Sequence, residues 1–408
     1  MLTVDEARAR LLEMVGVLPA MPVPLARAAG LVLAADVVAR RNLPGFDNSA
    51  MDGFAVRAAD TAGAGPERPA RLRLTGEVAA GAVFDGSVEA GTAVRIMTGA
   101  PIPPGADAVI EVEQADVEDG VVLARLDVQP GRSLRRAGED IRRGEVALGG
   151  GAWLGPAQLA LLAALGETTP ACVPRPRVAV IPTGDELLDP ATEPGPGQVT
   201  DVVSTGITAA VVAAGGEPVL VATARDTEAD VRRALADAAE ADLIVTVGGV
   251  SMGAYDFVRR VIEDEGDLDF WRVAMRPGKP LAVGRVGGKP VVGLPGNPVS
   301  ALVGFEVYVL PAIQGLAGRQ GWARPRRRCT LTRDIAAAPG LRVFARAEVR
   351  RQAGVLEATP VEGQGSHQLR SLAAANALLD IPADVGDLLA GAEVEAILLN
   401  HPPGPGWA

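Results

Sequence analysis

Carboxylates and glycines follow several short apolar segments between residues 177 and 298, and this combination could bind a phosphorylated ligand. Four such stretches read PTGDEL (182–187), ARD (224–226), GGVSMGAYD (248–256) and GLPGNP (293–298). Glycines let backbone N–H groups approach phosphate oxygens, and Asp and Glu supply the hard oxygen ligands that Mg²⁺ prefers. We therefore expect a site for a small phosphorylated ligand together with a divalent cation.

Two basic residues, Arg276 and Lys279, lie in the segment RPGKP just before the last of these stretches. Either could neutralise a phosphate or an oxyanion in phosphoryl-group chemistry. Lys279 is one of only two lysines among 39 basic residues, which suggests that a compact point charge is needed there. Lys289 occupies a similar Gly-Lys-Pro setting, so this argument is only suggestive.

Each carboxylate in these stretches also has a purely structural explanation. Thr183 and Glu186 have the spacing of a helix capping box, Asp256 lies where an N-cap belongs, and Asp226 could begin a turn. Capping alone does not require so many acidic or glycine-rich stretches on one sheet edge. The sequence therefore favours a binding site over four unrelated caps and turns.

The N-terminal half contains three further candidate segments. They read DNSAMDG (47–53), RIMTGAP (95–101) and GEDI (138–141), and they combine carboxylates or a hydroxyl with turn-forming residues. From spacing alone, a surface turn is the more economical explanation for each.

The elements that must position the first four stretches alternate along residues 171–320. Predicted strands are 178–181, 219–221, 243–247, 281–283 and 291–294, and predicted helices are 206–214, 228–239 (capped by Thr227), 257–265 and 299–310. Continuous apolar strands alternating with helices indicate a doubly wound, mostly parallel sheet, in which ligands bind at the carboxyl ends of the strands.

The rest of the chain is predicted to form smaller modules. Residues 1–42 and 138–170 are expected to form a helical and linker domain, which Thr3 and Glu6 open with a capping box. Residues 43–137 are expected to be β-rich, because short β-prone segments alternate with Gly/Pro turns. Residues 321–408 are expected to form a small C-terminal β domain. The basic run at 324–328, near its start, is expected to be a solvated linker.

Composition excludes several classes of function. A net charge of −11 argues against a nucleic-acid partner, since such affinity comes mainly from Lys and Arg. Two isolated cysteines and two isolated histidines do not support a disulfide framework, a zinc site or a catalytic triad. Neither a Walker A loop nor a dinucleotide fingerprint is present. No signal peptide and no apolar run of bilayer length is expected, which predicts a cytoplasmic protein.

The motifs together resemble one known family. PTGDEL, TVGGVSMGAYD and GLPGNPVS are similar to the molybdopterin-binding fold, and DNSAMDGFAVR, RIMTGAPIPPGADAVI, GEDI and RPGKPLAVG narrow the resemblance to the molybdopterin molybdenumtransferases. This family is called MoeA in bacteria and is represented by the gephyrin E domain in animals. The resemblance implies that adenylated molybdopterin and molybdate bind with Mg²⁺, that AMP is released, and that molybdenum enters the dithiolene.

The resemblance also implies a homodimer whose site is shared between two subunits, with a molybdopterin adenylyltransferase as a possible partner. It assigns catalysis to Asp52, Thr98, Asp140, Glu186 and Asp256, and places the metal near Glu186 and Asp256. The expected substrate-binding residues are Asp226, Gly248, Gly249, Ser251, Arg276, Lys279, Pro295, Pro298, Arg346 and Ser371.

Three positions depart from the family pattern. Val203 replaces an amide side chain, Phe54 stands where Tyr is common, and Arg276 stands where Lys is common. Two alternative functions therefore stay open: the adenylyltransferase that precedes this step, and a scaffold that binds molybdopterin without turnover. The N-terminal motifs argue against the first alternative and the intact acidic residues against the second.

Overall fold

The computed structural model describes residues 1–250, 257–319, 321 and 323–399. The chain divides into two compact units. The first comprises Met1–Met21, Gly30–Ala34 and Ala171–Ala408, and the second comprises Pro22–Ala29 and Ala35–Pro170. The predicted grouping of residues 1–42 with 138–170 differs from this division. The reason is that the first helix buries Val4, Ala7 and Leu11 in the core of the first unit.

The elements up to residue 170 are mostly short strands. They are α1 (Val4–Met14), β1 (Met21–Pro22), β2 (Val32–Leu33), β3 (Val37–Val38), β4 (Asn48–Ser49), β5 (Gly53–Val56), β6 (Ala70–Val78), β7 (Thr92–Ile96), β8 (Ala108–Glu111), β9 (Ala115–Glu118), β10 (Val121–Ala124), β11 (Leu134–Arg135), β12 (Val146–Leu148) and α2 (Pro156–Leu165), with 3₁₀ turns at Leu25–Arg27, Ala58–Thr61 and Val112–Gln114.

From residue 171 onward, helices and strands first alternate and strands then dominate. They are β13 (Ala171–Val173), β14 (Arg177–Pro182), β15 (Leu187–Leu188), β16 (Val199–Thr200), α3 (Val202–Ala213), β17 (Glu217–Leu220), α4 (Glu228–Asp237), β18 (Leu243–Val247), α5 (Phe257–Glu265), β19 (Gly266–Trp271), β20 (Met275–Arg276), β21 (Ala282–Val286), β22 (Lys289–Leu294), α6 (Pro298–Gly304), a π-helical turn (Phe305–Val309), α7 (Leu310–Leu316), β23 (Arg326–Leu331), β24 (Arg342–Gln352), β25 (Val355–Pro360), α8 (Leu369–Ala373), β26 (Ala377–Ile381) and β27 (Glu393–Leu398).

The prediction that residues 43–137 are β-rich is confirmed. Six strands form one sheet in the order β8-β5-β7-β6-β10-β9. Phe54, Leu72 and Ile110 pack on one face of it, and Val94 and Ile96 belong to a second cluster. Because the side chains of a strand alternate between the faces, β5, β7 and β8 each contribute to both clusters.

The first unit contains the predicted doubly wound sheet. Its strand order is β17-β14-β18-β22-β21-β19, and β14, β17, β18 and β22 are parallel. α3 covers one face with Val203, Ile207 and Val211, while α4 and α5 cover the other. The antiparallel edge strand β19 was not predicted, since its sequence (GDLDFW) has no continuous apolar run.

The helical stretch Pro298–Leu316 corrects one prediction. By length and composition alone it could cross a membrane, although no run of that length was expected. In the structure, 72% of its most apolar window is buried inside the protein, so it serves as the core helix of the first unit. The prediction ended this helix at residue 310, whereas α7 continues to Leu316.

The C-terminal domain of the first unit is a small barrel. β24 pairs with both β25 and β26, so the ring β24-β25-β23-β27-β26 closes on itself, and β20 adds to β24 from outside. The predicted basic linker at 324–328 is wrong, because β23 begins at Arg326. The guanidinium of Arg324 makes a bidentate pair with Glu306 at 2.8 and 2.9 Å instead of lying free in solvent.

A buried carboxylate ties three barrel strands together. Asp380 in β26 accepts from Nε and Nη2 of Arg342 at 2.6 and 2.7 Å, and from Nη1 of Arg326 at 2.8 Å. Its side chain is only 2% exposed. Burial alone would raise the pKa of Asp380, but the hydrogen bonds and charges of the two guanidinium groups outweigh it and hold that pKa below its ordinary value.

Replacing Asp380 with Ala should lower the free energy of unfolding by about 3–5 kcal/mol, because two partly buried cations lose their buried partner and keep only the exposed carboxylates of Asp5 and Glu395. The full decrease in the free energy of unfolding should be seen at neutral pH. Because the folded-state pKa lies below the unfolded value of about 4, the difference should close as pH falls through the folded-state pKa. Urea unfolding of both proteins across this pH range measures the effect.

Asp5→Ala is the matched control. Asp5 pairs with Nη1 of the same Arg342 at 2.8 Å, but its side chain is 62% exposed. Water screens this pair, so its loss should cost about 0–1 kcal/mol. Equal losses from the two substitutions would contradict the claim that burial sets the value of the Asp380 pair.

Candidate functional site

The first predicted stretch, PTGDEL, follows β14 directly. The capping box predicted for Thr183 and Glu186 is wrong, because no helix begins there. Thr183 instead forms a parallel bridge with Ala224, and its hydroxyl donates to the carbonyl of Val247 at 3.1 Å. Glu186 lies in an exposed turn before β15. Helix capping therefore no longer accounts for its carboxylate.

The exit of β17 is held against this turn. The amide of Gly184 donates to the carbonyl of Ala224 at 3.2 Å, and the amide of Asp226 donates to Oδ1 of Asp185 at 3.3 Å. Burial raises the pKa of Asp226, and the negative charges of Asp185 and Glu186 raise it further against the opposing effect of the hydrogen bond. The carboxylate of Asp226 is thus close enough to those of Asp185 and Glu186 to be repelled by both.

Asp185 was not among the predicted site residues. Its position beside Glu186, in the motif that follows a strand, could have identified it. The same position is the reason for predicting Glu186 alone. The structure shows that Asp185 joins the β14 and β17 exits through its contact with the amide of Asp226.

The third stretch follows β18 and begins with two glycines in the left-handed region. Gly248 has φ +96° and Gly249 has φ +65°, values that side chains other than glycine rarely adopt. A methyl group on Gly248 would lie 2.6 Å from the hydroxyl oxygen of Thr183, so the loops after β14 and β18 touch here. Ser251 and Asp256 lie outside the described residues.

The acidic group, which comprises Asp185, Glu186 and Asp226, suits a divalent cation only in part. Within 1–250, 257–319, 321 and 323–399, no group of three or more His, Cys, Asp or Glu side chains is arranged to hold a metal ion. Mg²⁺, however, commonly uses one or two carboxylates and completes its shell with phosphate and water. Such a cation would relieve the repulsion that Asp185 and Glu186 exert on Asp226, so these residues fit it.

The fourth stretch leads from β22 into the helix Pro298–Leu316. Pro298 opens the helix at a position where no intrahelical N–H donor is needed. A methyl group on Gly296 would lie 3.8 Å from the Cα atom of Gly248, so the third and fourth exits are neighbours. The amide of Val299 donates to the carbonyl of Ser366 in the C-terminal domain at 3.1 Å.

The segment RPGKP lies against this helix start. A methyl group on Gly278, whose φ is +97°, would lie 3.5 Å from the carbonyl oxygen of Ser300. Arg276 and Lys279 have exposed side chains, and neither forms an ion pair with another residue of the described chain. Two cationic groups therefore lie near a helix N-terminus, which itself favours anions.

Arg346 brings a third cation, and it is 0% exposed. Its Nη2 donates to the carbonyls of Gly363 and Gly365 at 2.8 and 3.2 Å, while Nε and Nη1 have no hydrogen-bond partner among the described residues. Burial lowers the pKa of this guanidinium. Ser371 is also buried, and its hydroxyl donates to the carbonyl of Gln368 at 2.6 Å. Both residues thus hold the loop that contacts Val299.

A cleft of about 720 Å³ opens beside the β14 exit. Its lining includes Pro182, Leu188, Asp201 and Thr223. Neither Asp185 nor Glu186 is among the described residues that line it. The cleft is large enough for a drug-sized molecule.

The second unit contains the remaining predicted residues. Oδ1 of Asp52 accepts from both the amide and the hydroxyl of Thr98, each at 2.7 Å. These hydrogen bonds, that of the amide first, lower the pKa of Asp52. The amide of Asp140 donates to the carbonyl of Leu43 at 3.0 Å, and its side chain is exposed. The predicted pair Asp52 and Thr98 is therefore in direct contact.

Two of the departures from the family pattern lie in hydrophobic cores. Val203 is 6% exposed and packs in the core beneath α3, and Phe54 is 1% exposed within the β-rich sheet. These substitutions therefore give no structural support to a loss of ligand contacts. Arg276 keeps its exposed cation.

Thr98→Ala should raise the pKa of Asp52 toward its ordinary value. The substitution removes the hydroxyl donor and leaves the amide donor, so only part of the lowering should persist. Thr98→Ser keeps both donors and is the control. NMR titration of the Asp52 carboxyl measures the shift, and an unchanged pKa in Thr98→Ala would contradict the role of this hydroxyl.

Family comparisons cover nearly the whole chain. Residues 2–166 match the MoeA N-terminal region (domain I and II), residues 179–315 match the probable molybdopterin binding domain, and residues 328–399 match the MoeA C-terminal region (domain IV).

Individual proteins align from end to end. Molybdopterin molybdenumtransferase 2 of Mycobacterium tuberculosis is 45% identical over 403 residues, covering 97% of this chain and 99% of that protein. Molybdopterin molybdenumtransferase of Haemophilus influenzae is 37% identical, covering 98% and 99%. The crystal structure of a molybdopterin biosynthesis MoeA protein from Pyrococcus horikoshii superposes with a TM-score of 0.83 at 32% identity, covering 98% and 99%. The chain belongs to the molybdopterin molybdenumtransferase (MoeA) family.

Proposed function

We propose that this protein is a molybdopterin molybdenumtransferase. It transfers molybdenum from molybdate to adenylated molybdopterin and releases AMP, a late step of molybdenum cofactor biosynthesis. One observation carries the proposal: an acidic group and a basic group lie at the same edge of the α/β sheet. The chain also aligns over nearly its full length with relatives named molybdopterin molybdenumtransferase. The acidic group suits a metal-bound phosphate, and the basic group suits an oxyanion.

The acidic group comprises the exits of β14 and β17. Glu186 and Asp226, with Asp185, would hold Mg²⁺ beside the phosphates of the adenylate, and Asp256 is assigned to the same metal by the family resemblance. A cation bound there would neutralise negative charge on the phosphates of the adenylate. Gly248 and Gly249 are assigned to substrate binding by the family resemblance.

The basic group is the proposed molybdate end of the site. Lys279 and Arg276 are exposed cations, and Arg346 has two buried N–H groups that lack partners among the described residues. A buried donor without an acceptor is costly, and an oxyanion would supply that acceptor. Pro295, Pro298 and Ser371 shape the backbone around the helix start. Their role is to orient the anion.

Asp52, Thr98 and Asp140 are proposed to complete the site. Donation from Thr98 keeps Asp52 ionised, so it can accept a hydrogen bond from a substrate group or orient the attacking water. By family resemblance, the protein is a homodimer, and these residues of one subunit face the α/β domain of the other. The cytoplasm as location and a molybdopterin adenylyltransferase as partner are further parts of the proposal.

The central test is AMP release. Purified protein incubated with adenylated molybdopterin, molybdate and Mg²⁺ should form AMP and molybdenum cofactor. Adenylation of molybdopterin from ATP would point instead to the adenylyltransferase, and absence of AMP with authentic substrate would exclude the proposed function.

Glu186→Gln should reduce AMP release by about 10²-fold, because it removes one of the charges offered to the metal. Excess Mg²⁺ should restore part of the loss, and the melting temperature should stay close to that of wild type, since no helix depends on Glu186. Asp189→Asn, in the loop that follows β15, is the control and should keep full activity. Equal losses in both variants would contradict the assigned role.

Lys279→Gln should raise the KM for molybdate and leave that for adenylated molybdopterin nearly unchanged. The ammonium group of Lys279 is proposed to contact only the oxyanion, so its loss should change only the KM for molybdate. Lys289→Gln removes the other lysine, which lies in β22, and should change neither constant. Initial rates of AMP release at varied molybdate separate these outcomes.

A further inference from the structure

Asp47 connects the segments that carry Asp52, Thr98 and Asp140, although the proposed mechanism gives it no role. Its Oδ1 accepts from the amide of Ala137 at 2.8 Å, and its Oδ2 accepts from Nη1 of Arg136 at 2.6 Å. Its own carbonyl accepts from the amide of Ile102 at 3.1 Å.

Backbone contacts extend this connection on both sides. The amide of Gly138 donates to the carbonyl of Pro44 at 2.9 Å, next to the contact between Asp140 and Leu43. The amide of Gly99 donates to the carbonyl of Ser49 at 2.8 Å. Residues 43–52 therefore form a central strip, with the Thr98 segment bound on one side and the Asp140 segment on the other.

The carboxylate is the side-chain part of this arrangement. The amides of residues 138–141 donate to backbone carbonyls, whereas the amide of Ala137 donates to the Asp47 carboxylate. This charge-assisted contact therefore fixes the start of the turn that carries Asp140. Asp47 bonds two successive residues, Arg136 and Ala137, only three residues before Asp140. Loss of its carboxylate would let the Asp140 turn move while the contact between Asp52 and Thr98 persists.

We propose that Asp47 is a positioning residue of this site, which fixes Asp140 relative to Asp52 and Thr98 without contacting the substrate. This inference rests on the proposed function, because Asp140 must take part in the reaction for its position to matter. Asp47 is thus a fourth functional residue of the second unit.

Kinetics of three variants test the proposal. Asp47→Ala should lower kcat for AMP release by about 10-fold to 100-fold and leave KM nearly unchanged, because a displaced group costs catalysis more than binding. Asp47→Asn should recover most of the rate, since its amide oxygen can still accept from Ala137. Asp127→Ala is the control: its carboxylate accepts from the amide of Gly63 at 2.9 Å elsewhere in the unit, and full activity should remain.

A double-mutant cycle shows whether Asp47 acts through Asp140. In the Asp140→Ala background, Asp47→Ala should have little further effect, because there is no carboxylate left to misplace. Full additivity of the two losses would overturn the proposal, and so would wild-type kcat in Asp47→Ala.

Hydrogen exchange gives a readout that does not depend on activity. In Asp47→Ala the amides of residues 136–141 should exchange faster, while those of the Asp127 region stay unchanged. Absence of AMP release in wild type would refute the proposed function alone, whereas unchanged exchange at 136–141 would refute the positioning role alone.

Discussion

The parallel register of β14 with its two neighbours is the constraint on which the α/β site depends. Pro182 lies opposite Val247, so β14 and β18 end at the same height on the sheet. The loops that follow are then close enough for Thr183 to bond Val247 and for Gly184 to bond Ala224. A shift of one residue would separate the carboxylates of the β14 and β17 exits and turn every apolar side chain to the other face.

This register brings together groups that destabilise one another. Carboxylates that repel at one place, and buried N–H groups of Arg346 that lack acceptors among the described residues, both cost folding free energy. The first cost comes from negative groups and the second from a positive group. The loops at Gly248 and Gly296 are neighbours and lie between the carboxylates and the basic group. The proposed ligand, with a metal-bound phosphate at one end and an oxyanion at the other, would relieve both. Such strain is typical of functional sites, where local stability yields to binding.

Sequence patterns predicted the elements whose signals are local. Continuous apolar runs identified β14, β18 and β22, and the rule for open sheets placed the strand-exit stretches on one edge. Predictions failed where a distant partner decides. Thr183 bonds a residue 64 positions away in place of a local cap, and Arg326 pairs with a carboxylate 54 positions away, which makes a supposed linker into a barrel strand. Asp185 was missed because its importance lies in a contact with the next strand exit.

Each of the two sets of site residues takes its geometry from contacts inside its own unit. In the first unit, strand pairing and the amide contact of Asp226 place the acidic group, and the loop around Arg346 places the basic group. In the second, Asp52, Thr98 and Asp140 are arranged around residues 43–52 by bonds confined to that unit. Non-additive effects on turnover between the two sets would consequently report a shared reaction step, because no structural contact within either unit could transmit them.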